Sequence, residues 1–229
     1  MFAALTSSNR AYYTPPVTRV IVKLTGWTLA VYRREYNGSF TEIASGIASG
    51  GNVYVTDPHP ALDYARYRIV AVNDTNGAVE YYDVPGYPIN EPAIIIQWDE
   101  EWTNRDDDSP DALDKPAWAG SLLCLPYNVD VSNNTAPDVS MVNYIGREHP
   151  VSYYGTHKGE TASWSTSIPA SDTETIYALR RLQNWMGDVY VREPSGVGYW
   201  ANITLSFTIT HKELVIPVSF TITRVTGGV

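Results

Sequence analysis

The stretch Tyr199–Val225 constrains the fold more than any other. From Ala201 to Thr210 apolar side chains fall on odd numbers and polar ones on even numbers. A period of two sends alternate residues to opposite faces of an extended chain, so this is a half-buried strand. His211-Lys212-Glu213 is a short polar connection. Leu214, Ile216, Val218, Phe220 and Ile222 then repeat the alternation. Two in-phase strands joined by a few residues predict an antiparallel hairpin. Thr204, Ser206, Thr208, Ser219, Thr221 and Thr223 form its polar face, which suits a neighbouring subunit as well as solvent. These six residues are the expected assembly interface. Pro217 shares their parity and cannot donate to a ladder, which predicts an edge position.

Other patterns agree on a mainly β chain. Thr, Ser, Val and Ile runs dominate, and helical periodicity is scarce. Tyr (17) and Trp (7) outnumber Phe (4), and their polar tips suit interfaces and sugar surfaces as well as cores. The single Cys124 excludes an internal disulfide and a multi-cysteine zinc site. A net charge of −9 argues against a nucleic-acid grip or an anchor on anionic membrane. No apolar run reaches transmembrane length.

Three regions are expected. Residues 1–16 end in Thr14-Pro15-Pro16 and read as an extended N-terminal arm. Residues 17–90 read as short strands punctuated by Asn37-Gly38, Asp57-Pro58 and Asn76-Gly77, the pattern of a sandwich. The glycine-rich run 46–51 reads as a loop between them. Val84–Pro88 and Glu91-Pro92 form a Pro/Gly-rich joint, so residues 91–229 are expected as a second domain. Ala93–Trp98 is its first, buried strand. Leu122–Val131 reads as a strand interrupted at Pro126, and Asn133–Pro137 as a loop. Strands are expected at 139–144, 151–154 and 162–168. One helix, 172–186, is marked by Ser171 and Glu174 at capping-box spacing and by Ile176, Leu179, Leu182 and Met186 on one face. Gly187 is its expected stop.

Chemistry-bearing motifs are sparse. Asp106, Asp107, Asp108 and Asp111 lie in an acidic run from Asp99 to Asp114, expected as a loop facing solvent or a lumen. An EF-hand fails there, because its glycine position holds Asp111 and its last ligand position Ala117. His59, His149, His157 and His211 show no metal-ligand spacing. No nucleophile elbow, phosphate loop or dinucleotide fingerprint occurs. Glu100 and Glu101 beside Trp98 and Trp102 are the one cluster suggestive of glycoside hydrolysis or sugar binding. The simpler reading makes Trp98 core and Trp102 interfacial. The expectation is a protein with no catalytic residues, no metal and no cofactor.

Two resemblances sharpen this. Tyr32-Arg33, Ile43-Ala44, Asp57-Pro58 and the run Tyr67-x-Ile69-x-Ala71-x-Asn73 before Gly77 resemble a fibronectin type III domain, with Tyr67 as its corner tyrosine and Trp27 as its second-strand tryptophan. This resemblance implies a spacer or binding module. Arg147-x-His149-Pro150-Val151-Ser152-Tyr153-Tyr154-Gly155-Thr156, the capped helix, Val189–Ala201 and Pro217–Ile222 before Gly227-Gly228 resemble minor tail or distal-tail proteins of long-tailed, non-contractile bacteriophages. That likeness implies a tail-tube-like β-sandwich or barrel with one flanking helix and a structural role at the tail tip. The implied partners are further copies of itself in a ring of three or six, other tail proteins (tube, tip hub, tape measure), and DNA in transit. The implied location is the virion. The alternative is a carbohydrate-binding adhesion module for the host surface.

Overall fold

Strands dominate the computed structural model, which describes residues 2–7, 17–102, 118–126, 128–209 and 214–226. The chain is mainly β, with antiparallel sheets, sandwich-like packing and one helix among the described residues. The strands are β1 (Phe2–Ser7), β2 (Thr18–Arg34), β3 (Phe40–Asp57), β4 (Tyr64–Asn73), β5 (Val79–Pro88), β6 (Ile94–Trp102), β7 (Trp118–Leu125), β8 (Asp130–Val142) and β9 (Val151–Pro169). Helix α1 (Thr173–Gln183) follows, then β10 (Val189–Arg192), β11 (Gly198–Phe207) and β12 (Val215–Arg224). Contacts divide the chain into two compact units. One is Met1–Pro126 with Tyr190–Gly198; the other is Tyr127–Val189 with Tyr199–Val229.

This division differs from the one expected at the Pro/Gly joint, which falls inside the first unit. β5 runs on through Tyr87 and Pro88, which pair with Ala65 and Tyr64. The amides of Ile89 and Asn90 then donate to the Asp63 carbonyl, and that of Glu91 to Leu62. Proline and glycine here end a strand and hold its tail against a neighbouring loop. Residues 2–7, expected within an extended arm, form β1 on β2 (Phe2↔Lys23 to Ser7↔Thr18); residues 8–16 lie outside the described set.

In the first unit β2 pairs with β3 along its length. Its other margin pairs with β1 over Thr18–Lys23 and with β4 over Trp27–Arg33. One long strand pair thus carries two further strands in succession on its other margin. Between them the register slips from Thr25 to Trp27, and the intervening Gly26 has φ +77°. Before the slip the inward residues are Val20 and Val22; after it they are Leu29 and Val31. One extra residue in a strand reverses which parity faces inward. Glycine takes the positive φ without Cβ strain. Val53, Val55, Ala65, Tyr67, Ile69, Ala71 and Val84 complete this core. The glycine-rich run 46–51 is not a loop but part of β3, with Ile47 to Gly51 paired to β2. β6 pairs with β7 on one side and β10 on the other, and residues 93–98 are all buried, the apolar run Ala93–Ile96 and the polar Gln97 alike.

In the second unit the strand order is β11-β12-β9-β8. The long hairpin is present, in register from Ala201↔Arg224 to Phe207↔Val218, although β11 ends at Phe207 rather than Thr210. Ile216, Val218, Phe220 and Ile222 are buried and the residues between them exposed. Phe220 meets its β9 partner Trp164 edge-on, with ring centres 6.3 Å apart. Pro217 is not on an edge strand, because β12 lies between β11 and β9. It sits opposite Ser167 of β9, and the β11 ladder stops one residue short of it. Asn133–Pro137 is strand, not loop, and the segments 151–154 and 162–168 merge in β9. The helix starts one residue late and ends three early. Its cap is Asp172, whose carboxylate accepts from the Thr175 amide at 3.1 Å, and it ends at Asn184. Leu179 and Leu182 are buried as expected, whereas Met186, past the last turn, is 98% exposed.

Candidate functional site

Among the described residues two places concentrate polar side chains, one in each unit. In the first unit they are buried and bonded to one another. Asp57, at the end of β3, is fully buried. Its carboxylate accepts from Arg33 Nη1 (2.8 Å), the Tyr67 hydroxyl (2.7 Å) and the His59 amide (3.0 Å). Arg33 also donates to the His59 carbonyl, to Glu35 and to the Tyr190 hydroxyl. Burial works against the Arg33 charge, but Asp57, Tyr190 and Glu35 outweigh it and hold the guanidinium firmly protonated. Burial, reinforced by Asp57, raises the Tyr67 phenol well above its ordinary range. Tyr67 is the tyrosine singled out as a corner residue, and its hydroxyl ties β4 to the end of β3.

A second chain of bonds starts at His59. Its ring stacks on Tyr190, with centres 4.0 Å apart, and Nε2 lies 2.6 Å from Glu100 Oε2. The Gln97 amide nitrogen donates to the other Glu100 oxygen, and Arg192 donates to the Gln97 oxygen and to the Pro60 carbonyl. A bulge makes this possible. Gln97 and Glu100 are three apart and would face opposite sides of a regular strand. Register slips between Trp98 and Glu101, and Asp99 adopts φ +54°. Burial lowers the His59 pKa against the opposing pull of Glu100. Burial also brings Arg192 down to about 10 and pushes Tyr190 up to about 12.

This cluster has the residue types of an active site but is consumed by its own bonds. Asp57 and Glu100 accept from protein donors, and a buried carboxylate so satisfied cements a fold. Trp98 is buried at 3%, which makes it core. The side chains of Glu101 and Trp102 fall outside the described set, so the suspected carboxylate pair is represented by Glu100 alone. Sequence spacing gave His59 no role. Its signal is indirect: Arg33 continues the inward parity of Leu29 and Val31, so a buried cation needs a buried partner.

The second place is an exposed face. In the second unit Thr204, Thr221, Ser163 and Ser132 stand side by side across β11, β12, β9 and β8. Ser206, Ser219, Ser165 and Asp130 form the row on one side; Asn202, Thr223, Thr161 and Asn134 form the row on the other. All twelve are exposed and only Asp130 is charged. Sheet geometry spaces the rows by about 6.8 Å and the strands by about 4.8 Å, so the hydroxyls and amides form a flat grid. A shallow cleft of ≈ 470 Å³ opens on it among Asn128, Asp130, Ser165 and Ser219. Five expected interface residues (Thr204, Ser206, Ser219, Thr221, Thr223) belong to the grid. Thr208 is exposed too but lies beyond the end of β11. Asp106, Asp107, Asp108 and Asp111 lie outside the described residues.

Among the described residues no three His, Cys, Asp or Glu side chains are grouped to hold a metal ion. Among them, too, no helix is long and apolar enough to cross a membrane. Set against models of known protein families and against curated proteins, the chain gives no match.

Proposed function

We propose that this chain is a structural subunit of a bacteriophage tail tip, assembling with copies of itself into a ring that joins the tail tube to the tip proteins and lets DNA pass. The observation that carries this reading is the grid of Thr, Ser and Asn on the second unit. A freely solvated face of that size ordinarily mixes in many Lys and Glu side chains. A flat, nearly uncharged hydroxyl face suits close contact with another protein surface, since hydroxyls bond in either sense and cost little to desolvate compared with ions. The antiparallel strands of the first unit, packed around one core, support the fibronectin-like reading. A chain charge of −9 suits a conduit for DNA, whose phosphates an acidic wall repels. No catalysis is assigned: the acids and the histidine of the buried cluster act as structural partners.

Thr204→Lys with Thr221→Lys tests the reading. The two positions are direct cross-strand partners. The double variant is expected to fold as the wild type does, by circular dichroism and thermal melting, while light scattering shows loss of the oligomer. An oligomer unchanged in mass would remove this face from the assembly.

One observation favours the carbohydrate alternative. On the outer side of the sandwich, Tyr81 is 70% exposed beside the two-pronged Arg68–Asp83 pair (2.6 and 2.9 Å), and Arg68 lies 4.4 Å over Phe40. Exposed rings with fixed polar neighbours are what a sugar surface stacks on. Binding of cell-wall polysaccharide lost in Tyr81→Ala, with assembly intact, would favour that reading.

A further inference from the structure

The sequence holds two Asn-Gly pairs. Asn37-Gly38 lies between β2 and β3, and Asn76-Gly77 between β4 and β5. Their turns are alike in most respects. Both asparagines are exposed. Gly38 and Gly77 adopt φ +85° and +69°. Each glycine amide donates across its turn, Gly38 to the Glu35 carbonyl and Gly77 to that of Asn73, both at 2.9 Å. Each asparagine Oδ1 accepts from the backbone amide two residues on, Ser39 for Asn37 and Ala78 for Asn76, again at 2.9 Å. A backbone amide can only donate, so the side-chain carbonyl oxygen is the atom that faces it. The turns differ at one further atom. The Ser39 hydroxyl also donates to Asn37 Oδ1, at 2.7 Å. The residue in the same place after Asn76 is Ala78, which has no hydroxyl.

That hydroxyl bears on the chemistry open to an Asn-Gly pair. The glycine nitrogen, once solvent base has taken its proton, attacks the asparagine Cγ and closes a five-membered ring. Glycine has no Cβ beside the attacking nitrogen to obstruct the approach. Negative charge moves onto Oδ1. As it returns, the bond from Cγ to Nδ2 breaks, and Nδ2 leaves as ammonia with a proton from water. Water then opens the cyclic imide at either carbonyl. Cleavage between Cγ and nitrogen gives aspartate; cleavage of the backbone bond gives isoaspartate. Water is consumed, ammonia is released, and nothing is oxidised or reduced. Donors already aimed at the oxygen where charge develops lower such a barrier. Asn37 Oδ1 has both the amide and the hydroxyl of Ser39, whereas Asn76 Oδ1 has the Ala78 amide. The bonds also fold each side chain over its own glycine, which favours ring closure. The bond that restrains the glycine nitrogen has the same length in both turns, so it does not separate them. We infer that Asn37 is a self-modifying site, converted to aspartate and isoaspartate ahead of Asn76 with Ser39 assisting. The product adds a carboxylate at the β2–β3 turn, next in sequence to Tyr36, which is 73% exposed. Its isoaspartate form lengthens the backbone of that turn by a carbon.

The test incubates the full chain at mildly alkaline pH and follows both sites by peptide mass spectrometry, with the aspartate and isoaspartate products separated by chromatography. Asn37 is expected to convert before Asn76. Ser39→Ala is expected to slow Asn37 by roughly two- to tenfold, the worth of one hydrogen bond in water, and to leave Asn76 unchanged. Ala78→Ser is expected to speed Asn76. In urea, where the turns are lost, the two sites are expected to converge. Conversion of Asn76 as fast as Asn37 in the folded chain, or a Ser39→Ala rate equal to the wild-type rate, overturns the inference. An Asn37 that converts in urea but not in the folded chain overturns it too, because the turn then protects the site.

Discussion

Asp57 shows how a single side chain can decide a fold's stability. It is fully buried and holds Arg33, Tyr67 and the His59 amide at once. Removing one partner of a buried pair leaves an uncompensated charge, a loss of about 3–5 kcal/mol. Asp57→Ala is therefore expected to lower unfolding free energy by that order in urea titration. Tyr67→Phe removes only one donor to a carboxylate and should cost about 1–3 kcal/mol. His59 sets a pH dependence whose sign follows from its burial. Its folded pKa lies below the unfolded value of 6.5, so folding favours the neutral ring. Its stabilising share is complete above pH 6.5 and is lost as pH falls through the folded pKa. A histidine proton resonance assigned to His59 should accordingly titrate below 6.5; a midpoint above it would reverse the sign.

At the scale of elements, β12 and the buried cluster mark the limits of what the sequence discloses. The alternation from Leu214 to Ile222 can be read directly, because burial of one sheet face imposes it residue by residue. Phe220→Ala should cost about 3–5 kcal/mol, as for other large core aromatics, measured by the same titration. The helix is legible to within a turn: Asp172 caps it where Ser171 is expected, and Asp172→Ala should lose about 0.5–2 kcal/mol. Three features are hidden. The glycine run 46–51 signals a loop by composition, yet partners along β2 hold it in a strand. Pro217 signals an edge, yet a ladder that stops at Val218 admits it to an internal strand. Arg33, His59, Glu100 and Arg192 read singly as surface charges, and only the fold brings them together.

For the whole molecule, the compact units cut across the boundary that composition suggests. Residues 92–229 contain Glu100 and Arg192 but lack His59 and Pro60, to which those side chains bond. The fragment 92–229 is expected to unfold at lower urea than the corresponding transition of the full chain. Equal midpoints would show that the buried cluster contributes nothing to this half.

The reach of that cluster along the chain also sets an order of events during synthesis. Arg33 and Tyr190 are separated by 157 positions. A ribosome adding about 5–20 residues per second needs roughly 8–30 s to bridge such a gap. Throughout that interval Arg33, Asp57 and His59 exist without the aromatic and cationic side chains of β10. The nascent sandwich must wait, half-sealed, for a four-residue strand that is synthesised long after β2. A slow codon stretch before residue 190 would prolong the wait, and a chaperone that shields the open side would shorten its consequences.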